Sequence, residues 1–381
     1  MKIRSKFPAQ ETTIFSVMSA LANEYGAINL SQGFPNFEPD AELIALVHDA
    51  MKKGFNQYAP MPGHKGLRDI LASKHQRSSG QSWDPDKEIT VTAGATQAIF
   101  TAISSIVRPG EEVMYFEPAY DCYRPAIELT GATPVPIALH SPEFTIDWDE
   151  VAQKITPQLR MIIVNTPSNP GCYTWSANDW DHLENLVAGK DIVILSDEVY
   201  EHLVYDPEGH ISVLSREKLK DQCMAAFSFG KNFHMTGWKL GYLVASAALT
   251  EEFRKLHQYI VFSVHHPSQQ GIAKYLEEPL HYEALAGFYR EKYERFLHAC
   301  SSSRFRFLPS AGSYFVLADY SDISDLDDRA FAEWLTREEG VACIPLSPFY
   351  SDPPTDQRLV RFCFAKTDDL LDKAGKLLSA V

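Results

Sequence analysis

The sequence predicts an α/β fold, a mostly parallel sheet covered on both faces, joined to a smaller α+β domain. Three observations carry that reading. Short apolar runs alternate with amphipathic stretches from about residue 40 to residue 275, as strands and crossover helices do. The runs end in polar or glycine-rich turns. From about residue 279 the alternation gives way to a charged amphipathic helix and shorter strand-like pieces.

Taken in order, residues 88–92 (EITVT), 113–116 (VMYF), 161–164 (MIIV), 192–196 (IVILS) and 224–228 (MAAFS) are expected strands. Residues 241–246 (GYLVAS) are one more candidate. Residues 96–107, where small and apolar side chains mix, and 178–188 are expected helices between them. In the second domain a helix is expected over 282–299, with strands over 305–307, 314–317 and 359–364. The expected division is a large domain over 40–278 and a small domain formed by 279–381 with the amino-terminal segment 1–39. Neither an internal repeat nor a low-complexity stretch is visible.

With 381 residues, 45% of them hydrophobic, the chain can bury a sizeable core. Its formal charge of −15 argues against nucleic acid or an anionic membrane as the main partner. Anionic small substrates stay open, because a few cations can dominate a closed cleft. The six cysteines are scattered without a C-x-x-C pair, which fits free thiols in a reducing compartment. Residues 1–10 carry Lys2, Arg4 and Lys6, but no apolar run follows, so no signal peptide is expected. No apolar stretch approaches the ~18 residues a membrane span needs. A soluble, cytoplasmic protein is the expectation.

In an open parallel sheet, ligands bind beyond the carboxyl ends of the strands. Reading those ends gives Ala93-Gly94-Ala95-Thr96, then Glu117-Pro118-Ala119-Tyr120, then residues 165–171 (NTPSNPG), then Asp197-Glu198-Val199-Tyr200, then Gly230-Lys231. A glycine opening a helix supplies bare N–H groups and a positive dipole end, which suits a phosphate. Polar residues are common in such loops, so it is their convergence that matters. The pair His265-His266 has no carboxylate or cysteine at ligand spacing, so no metal is expected. Neither a G-x-G-x-x-G nor a G-x-x-x-x-G-K-[ST] pattern is present.

The segment 228–242 (SFGKNFHMTGWKLGY) resembles the cofactor-lysine segment of class I/II aminotransferases of fold type I. So do residues 31–35 (SQGFP), 56–58 (NQY), 92–96 (TAGAT), Asn169-Pro170, 197–200 (DEVY) and 359–364 (LVRFCF). Within that family the sequence is similar to bacterial methionine aminotransferases and the glutamine transaminase K/kynurenine aminotransferase group. The resemblance spans nearly the whole chain. It implies a mostly parallel seven-stranded sheet between helices, a smaller α+β domain, pyridoxal 5′-phosphate, and a homodimer with active sites at the subunit interface.

It also implies roles. Lys231 would hold the cofactor aldehyde as a Schiff base and later shuttle the substrate Cα proton. Asp197 would pair with the protonated pyridine nitrogen, and Asn169 and Tyr200 would bond the phenolic oxygen. Tyr120 would stack on the ring. Gly94, Ala95, Thr96, Ser228, Lys239 and the partner-directed Tyr58 would hold the phosphate. Lys239 departs from the arginine of most of the wider family, replacing a planar fork by a point charge. His234 is bulkier than the residue usual there. Arg361 would bind the α-carboxylate, with Asn169 beside it and Gly33, Phe34 and Phe15 walling the pocket. Ordinary roles remain open for several: a helix N-cap for Asp197, a turn former for Asn169, core packing for Tyr120, Phe34 and Phe15. The expected reaction moves the amino group of methionine or another large apolar or aromatic amino acid to a 2-oxo acid. A β-elimination from cysteine conjugates and a non-catalytic amino-acid sensor are the alternatives.

Overall fold

Alternating side chains along the central strands serve two cores at once, which is why those strands read as unbroken apolar runs. Ile162 and Val164 face one buried cluster, whereas Met161 and Ile163 face another on the opposite side of the sheet. The computed structural model describes residues 4–7, 12–206 and 208–381. Lys2 and residues 8–10 of the amino-terminal ten read for a signal peptide lie outside them.

In chain order, β1 (Ile28–Asn29) lies in the amino-terminal segment. Then β2 (Ile89–Thr92), β3 (Glu112–Glu117), β4 (Thr133–Ala138), β5 (Leu159–Asn165), β6 (Val193–Asp197), β7 (Cys223–Ser228) and β8 (Gly241–Ala245) form one sheet. Their spatial order is β2-β8-β7-β6-β5-β3-β4. Neighbours run parallel except at β8, which is antiparallel to both β7 and β2. The mostly parallel α/β sheet expected from the sequence is therefore present, and each of the six strand candidates falls in it. The seventh strand, β4, reads TPVPIA and had no signal of its own. Pro134 and Pro136 cannot donate to a ladder, and β4 pairs only with β3 at the sheet edge, where proline is tolerated.

Helix Ala95–Ile106 lies on the sheet through Ala98, Ala102 and Ile103, all fully buried. Small residues let its backbone approach the strands closely. Helix Ala177–Val187 is started by a capping box between Ser176 and Asp179.

The smaller sheet comprises β9 (Arg306–Phe307), β10 (Phe315–Asp319), β12 (Ile344–Pro345) and β13 (Leu359–Cys363), antiparallel in the order β12-β13-β10-β9. Between them β11 (Val341–Ala342) pairs in parallel with β1, joining the amino-terminal segment to this region. The helix expected over 282–299 is observed as two, Leu280–Glu283 and Leu285–Ala299. Among the described residues, no helix is long and apolar enough to cross a membrane.

Candidate active site

Because β2, β5, β6 and β7 point the same way, their carboxyl ends open on one edge of the sheet. There Gly94, Ala95 and Thr96 follow β2, Asn169 follows β5, Asp197 ends β6, Ser228 ends β7 and Lys231 follows it. These residues, with Tyr120, Tyr200 and Lys239, line a single crevice.

Asp197 sits at its floor, 3% exposed. The Tyr123 hydroxyl donates to its Oδ2 at 2.6 Å, and the Val199 N–H reaches Oδ1 at 3.4 Å. No cation forms an ion pair with Asp197 among the described residues, and burial lifts its carboxyl to about 6. Lys231 is half-buried. Its Nζ donates to the Gly33 carbonyl at 3.1 Å and lies 5.9 and 5.8 Å from the Tyr200 and Tyr314 ring centres. Burial, helped by Arg361 and Lys239, brings the ammonium down to about 8.

The start of helix Ala95–Ile106 forms an anion cradle. Gly94 caps it with φ +83° and no side-chain bond to the first N–H groups. A Cβ on Gly94 would stand 3.4 Å from Lys239 Nζ. A Cβ on Gly241 would stand 2.4 Å from the Phe227 carbonyl oxygen and 3.0 Å from the Ala95 nitrogen. Bare glycines therefore let two strands and a helix start close on one point, and the dipole and the ammonium charge it positively.

Arg361, in the middle of β13, is fully buried. Its guanidinium lies 3.8 Å over the Phe315 ring and 5.4 Å from the Phe15 ring. Nη2 donates to the Ser31 carbonyl at 3.1 Å, and Nη1 donates to Asn169 Oδ1. Nε has no partner, and no carboxylate pairs with the side chain among the described residues. A buried charge without a counter-ion is costly, and burial lowers its pKa.

Gly33 and Phe15 also reach this region. Gly33 supplies the carbonyl held by Lys231 and, at 2.6 Å, by the Tyr314 hydroxyl. A Cβ there would come within 2.8 Å of Phe315 Cζ, so the loop admits only glycine. Phe15 sits 5.6 Å from Phe349, ring to ring. The structure does not bring Phe34 or Tyr58 into the crevice of their own chain. Phe34 turns its ring outward, and Tyr58 is 79% exposed, edge-on to Phe262.

Sequence reasoning missed several partners. Tyr123, three residues after Tyr120, opens helix Tyr123–Leu129, and its place just behind a strand end was the signal that could have found it. Asn165, at the end of β5, orients the turn by accepting the Asn169 N–H at 2.8 Å and donating to the Asp197 carbonyl at 3.0 Å. Tyr314, Phe315 and Phe349 carried no local signal, since their roles arise from contacts with Gly33, Arg361 and Phe15, all far from them along the chain. In sum the crevice offers an amine brought down to about 8, a carboxylate lacking a cation, an anion cradle and an uncompensated guanidinium.

The family model described as aminotransferase class I and II matches residues 25–377. The chain is 47% identical to methionine aminotransferase of Escherichia coli K12, over 98% of this chain and 97% of that protein. It is 32% identical to kynurenine–oxoglutarate transaminase 1 of Mus musculus, over 94% and 92%. An Escherichia coli crystal structure, described as identifying a methionine aminotransferase function, superposes with a TM-score of 0.98 at 46% identity, with 100% of each chain covered.

Proposed function

The chain belongs to the class I and II aminotransferases, and from that premise we propose that its preferred amino donor is methionine and that the crevice at the strand ends holds pyridoxal phosphate. The donor set fits the group. Asp197 is a buried carboxylate in want of a cation, the Gly94 cradle suits a phosphate, and Lys231 is an amine that burial makes easier to deprotonate. When bound, pyridoxal phosphate supplies an electron sink for the amino acid's Cα.

The chain's own residues do the rest. Lys231 Nζ would hold the cofactor, and its amine would carry the proton at the substrate Cα. Asp197 would keep the ring nitrogen protonated, and the Tyr123 hydroxyl holds Asp197 in place by a hydrogen bond. The Asn169 oxygen is engaged by Arg361, which leaves its amide N–H groups to donate to the phenolic oxygen, beside Tyr200. Tyr120 would lie against the ring, and Gly94, Ala95, Thr96, Ser228 and Lys239, which line the same crevice, would receive the phosphate.

One observation carries the substrate reading: Arg361 is a buried guanidinium with aromatic rings beside it, an unpartnered Nε and no carboxylate of its own. An α-carboxylate would compensate it with two parallel bonds and fix Cα over Lys231. Lys231 and Lys239, which line the crevice, are taken by the cofactor in this reading, and Arg361 by the α-carboxylate. A second substrate carboxylate would then be buried unpaired, costing several kcal/mol. A thioether fits a wall of Phe15 and Phe349 and gains ~0.3–1.5 kcal/mol from sulfur–aromatic contact.

The reading includes a homodimer in the cytoplasm. Exposed Tyr58, Tyr259 and Phe262 support a subunit contact that would carry Tyr58 to the partner's phosphate, and six free cysteines support a reducing compartment. It also includes the division into 40–278 and 1–39 with 279–381, supported by the two separate sheets and the β1–β11 pairing. The test is kcat/KM for methionine, phenylalanine, glutamine and aspartate against one shared keto acid. Methionine should exceed aspartate by at least about 100-fold. A preference for aspartate would overturn the pocket reading.

A further inference from the structure

Four consecutive backbone carbonyls, Ser31 to Phe34, are all captured by side chains of the crevice region. Arg361 Nη2 takes Ser31, and Lys231 Nζ and the Tyr314 hydroxyl take Gly33. The other two belong to one residue that neither motif nor pocket singled out. Lys366 Nζ donates to the Phe34 carbonyl at 2.7 Å and to the Gln32 carbonyl at 3.3 Å, and lies 5.3 Å from the Phe34 ring centre.

Lys366 is 2% exposed, and no carboxylate pairs with it among the described residues. A lysine buried so deeply normally has an anionic partner, because losing its hydration costs several kcal/mol. Here two carbonyl dipoles and a ring face do that work. The neighbouring backbone runs beside the loop as well: the Cys363 N–H reaches the Leu30 carbonyl at 2.8 Å, and the Thr367 N–H reaches Asn36 Oδ1 at 2.8 Å. Lys366 thus ties loop 31–34 to the strand that carries Arg361, on the side of the crevice remote from the phosphate cradle.

We propose that Lys366 is a positioning residue for the amino-acid carboxylate: it clamps loop 31–34 over Arg361 and sets the height of that wall, without contributing to cofactor binding. The proposal rests on the reading of Arg361 as the carboxylate site. Turning Gln32 and Phe34 carbonyls inward onto Lys366 leaves the Gly33 carbonyl, between them, over Lys231. Without the ammonium those two carbonyls would be unpaired, and the loop would move toward water to satisfy them.

The test uses the pyridoxal-phosphate-loaded enzyme and a non-reacting probe, 4-(methylsulfanyl)butanoate, titrated calorimetrically against Lys366→Met, Lys366→Arg and Arg361→Lys. Cofactor affinity of each is measured separately by absorbance. Lys366→Met should weaken the probe about tenfold, the worth of hydrogen bonds from a charged donor, while cofactor affinity stays within about twofold of the wild type. Lys366→Arg, which can still bridge two carbonyls, should recover most of the loss. If Lys366→Met does not fold, Lys366→Arg should still bind the probe within about threefold of the wild type. Unchanged probe affinity in Lys366→Met overturns the proposal, as does an equal fall in cofactor affinity. A probe sensitive to Arg361→Lys alone also overturns it and leaves the carboxylate reading standing. A probe sensitive to Lys366→Met but indifferent to Arg361→Lys removes the carboxylate reading and overturns the proposal with it.

Discussion

The two sides of the crevice are built on different principles. On the cofactor side, Asp197, Ser228 and Gly94 sit at or just beyond the ends of strands whose hydrogen-bond ladder already fixes them, and each is placed by its own few residues of chain. On the substrate side, Arg361 is fixed by Phe315, by Asn169, and by Phe15 and Ser31 of the amino-terminal segment, three separate parts of the sequence. The first side is rigid because the sheet is rigid. The second is only as fixed as the contact between the 31–34 loop and the smaller sheet. Substitutions on the two sides should therefore fail differently, the first in cofactor chemistry and the second in substrate affinity.

The largest effect is expected at Lys231. Lys231→Ala should lower transamination by more than about a thousandfold, since nucleophile and proton carrier are lost together. It should still bind cofactor noncovalently in the cradle, which absorbance and dialysis would report; normal turnover would break the division at once. On the other side, Arg361→Lys keeps a charge but loses the planar fork, so kcat/KM for methionine should fall by about 10–100-fold. Cofactor affinity should hardly move, and a parallel loss of cofactor would show that the two sides are not independent.

Gly94→Ala addresses the cradle. Its φ of +83° is strained for any residue with a Cβ, at ~1–3 kcal/mol. Cofactor affinity should drop while the methionine KM of the loaded enzyme stays constant.

The smallest effect is a shift in pH. Asp197 is protonated below about 6 and ionised above it, and only the ionised form can pair with a cationic ring nitrogen. Cofactor affinity should accordingly rise as pH increases through about 6. Tyr123→Phe removes a donor to the carboxylate, raises that group's pKa further, and should move the midpoint upward by up to about one unit. For the cofactor-free protein the sign is opposite. The folded carboxyl sits above the ordinary value of 3.8, so this residue's contribution to stability is greatest below pH 3.8 and is lost as pH rises through about 6. A midpoint that moves down in Tyr123→Phe would contradict the role given to that hydroxyl.

The same contrast explains what could be read from the sequence. The strand runs and the polar residues after them form one local signal, so Asp197, Asn169, Gly94 and Lys231 were legible together. Arg361 was legible too, because an arginine between Val360 and Phe362 in an apolar strand needs a reason. The edge strand Thr133–Ala138 was not, since Pro134 and Pro136 mask its pattern. Tyr314, Phe315, Phe349 and Lys366 read as ordinary strand and loop residues, because what they do depends on chain brought back from hundreds of residues away. Phe34, named for the pocket, is 44% exposed in the single chain, and Tyr58, named for a partner's phosphate, is 79% exposed, as a residue directed at another subunit would be.

The account stands or falls on the amine at the end of β7. Borohydride reduction of the yellow, cofactor-loaded protein, followed by peptide mass mapping, reads its position directly. A pyridoxyl label on Lys231 is the predicted result; a label on Lys239, or on no lysine, would contradict it.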